Sequence, residues 1–116
     1  MTDPEPLLDR DHLARQTFGD ADLAAEVLAL FREQCASLLP ALADAERPPA
    51  DRADLAHTLK GAALGIGARR VAAAAAALEA ALRADEAGHS ARGHPSSADD
   101  RVGDLTAAAE ATLALL

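Results

Sequence analysis

Residues 56–86 read AHTLKGAALGIGARRVAAAAAALEAALRADE, a stretch of alanine and leucine interrupted by three glycines. Alanine and leucine are the strongest helix formers, and the β-branched and aromatic residues that build strands are almost missing from it. The stretch therefore reads as the end of one helix and the whole of the next. The first spans about Ala50 to Leu64, with Leu55, Leu59, Ala62 and Ile66 as its inward stripe, and Gly65 and Gly67 end it. The second spans about Ala68 to Glu86, with Val71, Ala75, Leu78 and Leu82 on one face. Six consecutive alanines in that helix leave little side-chain bulk, so its neighbours can pack closely.

The rest of the chain continues the pattern. Residues 1–6 read as a disordered lead, and Leu7 to Thr17 as a short helix anchored by Leu8, Leu13 and Phe18. Gly19-Asp20 breaks it, and Asp20 is placed to cap the next helix. That helix covers about residues 21–45, with Leu23, Val27, Leu30, Phe31, Gln34, Leu38, Leu42 and Ala45 inward and a kink expected near Ala36–Leu39 ahead of Pro40. Arg47-Pro48-Pro49 is a firm break. Ala87 to Ser96, with two glycines, a proline, His89 and His94, reads as a flexible loop. Ser97 with Asp100 resembles a capping box, and a last helix follows with Val102, Leu105, Ala109, Thr112 and Leu116 inward. The expected fold is all-α: an antiparallel four-helix bundle with a short additional N-terminal helix, one domain over 7–116.

The chain has 116 residues, half of them apolar, with two phenylalanines and no tryptophan or tyrosine. Its formal net charge is -8, which argues against nucleic acid and anionic lipid as partners. Cys35 is the only cysteine, so no intrachain disulfide can form, and its helical register suggests a small core residue. The opening MTDPEPLLDRDH lacks the basic and apolar regions of a secretory signal, and no run approaches the roughly 18 apolar residues of a membrane span. A soluble, cytoplasmic, monomeric protein is expected.

His57 is the residue that carries chemistry. With His57 at zero on a helical wheel, Lys60 lies at about 300°, Gly61 at about 40°, Leu64 at about 340° and Asp54 at about 60°. Leu55 and Leu59 lie near about 160° and 200°, which puts the imidazole on the solvent side. A glycine inside a helix costs about 0.5–1 kcal/mol relative to alanine, so Gly61 calls for a reason. Room for something bulky to approach His57 is a natural one. The stripe thus combines an accessible imidazole, a cation, an uncluttered flank and an apolar contact at Leu64.

The run His57-Thr58-Leu59-Lys60-Gly61, with Gly67-Ala68 opening the next helix and Leu78-Glu79 within it, resembles the histidine-containing phosphotransfer (HPt) domains of multistep phosphorelays. Phe18-Gly19-Asp20 leading into a helix with Leu23 and Phe31 is similar to that family too. The likeness covers roughly residues 7–86, and the last helix fits by pattern. It implies a phosphoryl carrier without kinase activity of its own, with His57 as acceptor, Lys60 as the neighbouring cation and Gly61 as the access position. Some members have a glutamine on the following helix that hydrogen-bonds the imidazole; here that position is Glu79, a departure from the family's pattern. Partners implied are receiver domains, including one in a hybrid histidine kinase, with Leu64, Asp54 and Arg69 as candidate contacts. No cofactor is expected in this chain, and magnesium would come from the receiver. Glu79 also reads as a plain i, i+4 partner of Arg83, and Arg69 and Arg70 as cations tolerated at a helix start.

Two other classes are weighed against this one. A metal protein is suggested by Asp9-x-x-His12 and Asp54-x-x-His57, but a di-metal bundle needs inward ligands from several helices, and the second pair faces outward. His89 and His94 have no cysteine nearby. A bundle that sequesters a signalling partner without transfer would not need His57 and Lys60 together. Cys35 has no base near it in sequence to make it a nucleophile.

Overall fold

The structure, a computed structural model, describes residues 7–86 and 97–116. The disordered lead assigned to residues 1–6 and the loop assigned to residues 87–96, with His89 and His94, lie outside the described residues. So does the Ser97 side chain on which the capping box depends. The elements are α1 (Arg10–Gln16), α2 (Ala21–Ala43), α3 (Pro49–Ile66), α4 (Arg69–Glu86) and α5 (Ser97–Leu113). No strand occurs among the described residues. Helices α2 to α5 form the antiparallel four-helix bundle: α3 packs on α4, α4 on α5, α2 on α3, and α5 closes back on α2. The short α1 lies against α3 and α2.

The core follows from helical periodicity with small residues at the seams. Phe31, Leu42, Leu59, Leu78, Leu82, Leu105 and Val71 are its largest fully buried apolar side chains. Each such leucine stabilises the fold by roughly 1.5–3 kcal/mol through the apolar surface it withdraws from water. Ala53, Ala56 and Ala63 of α3 and Ala72 and Ala75 of α4 are buried as well, and this pair of helices has the most extensive packing in the bundle. Cys35 is completely buried, and burial pushes its thiol pKa up.

Boundaries follow from local chemistry. Asp9 caps α1 by accepting from the His12 N–H at 3.0 Å, and Asp20 caps α2 by accepting from Asp22 and Leu23 at 3.0 and 3.1 Å. Pro48 and Pro49 open α3, where a missing N–H leaves no bond unmade. α3 ends at Gly67, whose φ of 80° is left-handed, and the Ala68 N–H closes back on the Ala63 carbonyl at 2.8 Å. Gly65, expected to share in that ending, lies inside the helix instead, because Gly67 alone takes the left-handed step.

Several inward positions differ from expectation. Phe18 is 91% exposed with a φ of 56°; it belongs to the turn between α1 and α2, and the buried Thr17 lies inside in its place. In α2 the buried face is Phe31, Cys35 and Leu42, which places Leu30 and Gln34 about 100° away and exposed. Ala45 lies beyond the helix end and is exposed, as is Leu116 beyond the end of α5. α2 continues past Pro40 to Ala43. Arg52 is only 6% exposed, and its Nε and Nη2 donate to the Leu42 carbonyl at 3.0 and 2.7 Å. That guanidinium satisfies a carbonyl left over at the C-terminus of α2, where the helix dipole favours a cation.

Candidate functional site

The face of α3 around His57 is set by where the helix meets the core. Its buried residues are Arg52, Ala53, Ala56, Leu59, Ala63 and Ile66. On the wheel used above their mean direction is about 240°, not the 180° that Leu55 and Leu59 alone would give. Leu55 is accordingly only half-buried. His57 still points to solvent, its side chain 62% exposed, while Lys60 moves to the flank nearest the core and is 29% exposed. Gly61 and Asp54 are exposed, and Leu64 retains 52% of its surface.

α4 brings one carboxylate to this face. The Glu79 side chain is 16% exposed and lies against both residues of the His-x-x-Lys pair. His57 Nδ1 is 3.3 Å from Glu79 Oε1 and 3.2 Å from Oε2, and Lys60 Nζ donates to Oε1 at 3.2 Å. Burial alone would push the Glu79 pKa up, but hydrogen bonds and charge from Lys60 and His57 outweigh it and hold the group below its ordinary value. An ionised carboxylate only accepts, so its contact with Nδ1 requires the ring hydrogen to be on Nδ1. In the neutral ring that leaves the lone pair on Nε2. A glutamine could donate or accept there and would not impose that tautomer by itself.

Arg83, one turn further along α4, adds a link that sequence spacing did not reveal. Its Nη2 donates to Glu79 Oε2 at 3.4 Å, as i, i+4 spacing allows, and also to Asp54 Oδ1 at 3.0 Å across the helix pair. Asp54 and Arg83 are 29 positions apart, so no local motif joins them. Arg69 stands at the start of α4 with its Nη2 3.0 Å from Asp9 Oδ2, tying the segment before α1 to the α3–α4 turn. Among the described residues no group of three or more His, Cys, Asp or Glu side chains is arranged to hold a metal ion. Nor is any described helix long and apolar enough to cross a membrane.

The site therefore presents an exposed imidazole with its tautomer set from below, a lysine at its side and an open glycine next to it. Comparison with known proteins points the same way. The family model described as Hpt domain matches residues 26–114. The crystal structure of the histidine phosphotransferase ShpA from Caulobacter crescentus is similar in sequence and fold, at 31% identity and a TM-score of 0.57. The match covers 94% of this chain and 86% of that one. Comparison with curated proteins gives no match. With the helical bundle, the exposed His-x-x-Lys-Gly face and the family model in agreement, the chain belongs to the Hpt domain family of phosphorelay carriers.

Proposed function

We propose that His57 accepts a phosphoryl group from the phospho-aspartate of one receiver domain and passes it to the aspartate of another. The observation that carries this reading is the solvent-exposed imidazole with Nδ1 against the Glu79 carboxylate and Lys60 at its side. In the accepting step the Nε2 lone pair attacks phosphorus as the bond to the aspartyl oxygen breaks, and that carboxylate leaves with the electron pair. Nδ1 keeps its hydrogen, and Glu79 stabilises the positive charge that develops on the ring. Lys60, on a flexible stem, offsets charge on the transferred oxygens. Phosphoryl transfer depends chiefly on in-line placement and charge stabilisation, and the receiver supplies the magnesium ion. The return step is the same displacement reversed, onto a second aspartate. The protein acts as a cytoplasmic monomer, with Leu64, Asp54 and Arg69 in the surface a receiver meets.

The test is incubation with a phosphorylated receiver domain and magnesium. The protein should acquire a label stable in base and lost in acid, the signature of a phosphorus–nitrogen bond. No label, or one lost in base as an acyl phosphate is, would overturn the proposal.

Gly61 provides an independent check on access. A Cβ added there meets nothing within 4 Å. Gly61→Ala should therefore raise stability by about 0.5–1 kcal/mol in chemical denaturation, as glycine is replaced inside a helix. Gly61→Phe should fold as well but fill the space beside the imidazole. Its transfer should fall by roughly tenfold or more, on the scale expected when reacting groups are misplaced by about an ångström. Unimpaired transfer in Gly61→Phe would remove the access role.

A further inference from the structure

We propose that Arg83 is a positioning residue for His57, acting through Glu79 and anchored across the helix pair by Asp54; the proposal rests on the reading of His57 as phosphoacceptor. The side chains make a closed bracket with two members from each helix. His57 and Asp54 stand one turn apart on α3, Glu79 and Arg83 one turn apart on α4. Arg83 Nη2 joins the outer pair at 3.0 Å and returns to Glu79 Oε2 at 3.4 Å. Glu79 in turn meets His57 Nδ1 at 3.2 Å.

The need for such a bracket follows from how exposed the imidazole is. With 62% of its side chain in solvent, His57 has little packing to hold its ring, and the contact to Glu79 sets its orientation. Glu79 also binds Lys60, through Oε1. Lys60 is the cation that would turn toward a phosphoryl group on Nε2, and once it turns Glu79 loses that restraint. Arg83 engages the other oxygen, Oε2, and is not called on by the transfer. It keeps the carboxylate aimed at Nδ1 while Lys60 changes partners. Asp54 has two effects: it draws the guanidinium toward α3, and it balances the Arg83 charge. With Asp54 and Glu79 against Lys60 and Arg83, the side chains around a neutral imidazole sum to no net charge.

Surface pairs of this kind are individually weak, so the expected effect is modest and specific. The readout is the His57 ring tautomer in the unphosphorylated protein, from nitrogen-15 chemical shifts of the imidazole. Arg83→Ala should lower the ratio of Nδ1–H to Nε2–H rings by about twofold. Arg83→Lys should recover part of that loss. Asp54→Asn, which leaves α4 untouched, should move the ratio in the same direction by less. A merely structural role for Arg83 would alter melting and not the tautomer. An unchanged ratio in both Arg83→Ala and Asp54→Asn overturns the proposal, as does an Arg83→Lys protein no better than Arg83→Ala. No receiver is involved, so this result and the labelling result can fail separately.

Discussion

His57→Gln should lose the acid-labile label completely and yet unfold at nearly the wild-type denaturant concentration. Both halves follow from the same environment. The side chain is largely in solvent, so replacing it removes little packing, and surface substitutions of this kind usually change stability by less than about 0.5 kcal/mol. Glu79, the group that loses a partner, retains Lys60 at 3.2 Å and Arg83 at 3.4 Å and is not left as an unpaired carboxylate. A glutamine amide has no lone pair comparable to that of a neutral imidazole nitrogen, so the nucleophile is gone while the bundle is not. The measurement pairs a transfer assay with a denaturant titration. Persistence of the label would assign the acceptor to another side chain. A large loss of stability would contradict the exposed placement of His57.

Gly67→Ala is expected to act in the opposite sense, costing stability without touching the imidazole. Gly67 ends α3 with a φ of 80°, a conformation that costs an L-residue with a Cβ roughly 1–2 kcal/mol. The added carbon would also lie 2.9 Å from both the Cβ and the carbonyl oxygen of Asp9. Asp9 cannot simply turn away, because its backbone N–H donates to the Gly67 carbonyl at 3.0 Å and its carboxylate caps α1 and pairs with Arg69. Strain and displaced contacts together should destabilise the protein by about 2–4 kcal/mol in chemical denaturation. A loss below about 0.5 kcal/mol would mean that the segment before α1 moves freely and that the clamp around Asp9 is not real.

These two positions, ten residues apart in one stretch, show what the sequence discloses and what it conceals. Helix existence, the Asp20 cap and the outward direction of His57 were legible because they depend on period, glycine, proline and short polar side chains. The faces of the alanine-rich helices were harder to read. Alanine is buried at positions 53, 56, 63 and 75 but exposed at 25, 29 and 73, so its presence does not mark which side meets the core. That ambiguity shifted the predicted inward direction of α3 and placed Leu30 and Gln34 of α2 on the wrong side. Tertiary partnerships were less visible still. Arg52 is buried because a carbonyl ten residues upstream needs a donor, and Asp54 meets Arg83 only once α3 and α4 lie side by side. Glu79 was legible as a neighbour of the imidazole and of Arg83, but its contact with Lys60, which completes the junction, was not.

The sealed environment of the lone sulfhydryl has a practical consequence. Position 35 is wholly shielded and its deprotonation is disfavoured, so alkylating dyes should pass it by while the bundle is intact. A cysteine introduced at the exposed Thr58, beside the imidazole, would then be the one handle that maleimide reagents find. A fluorophore there would report receiver docking in real time, with no background-removing mutation needed in the interior.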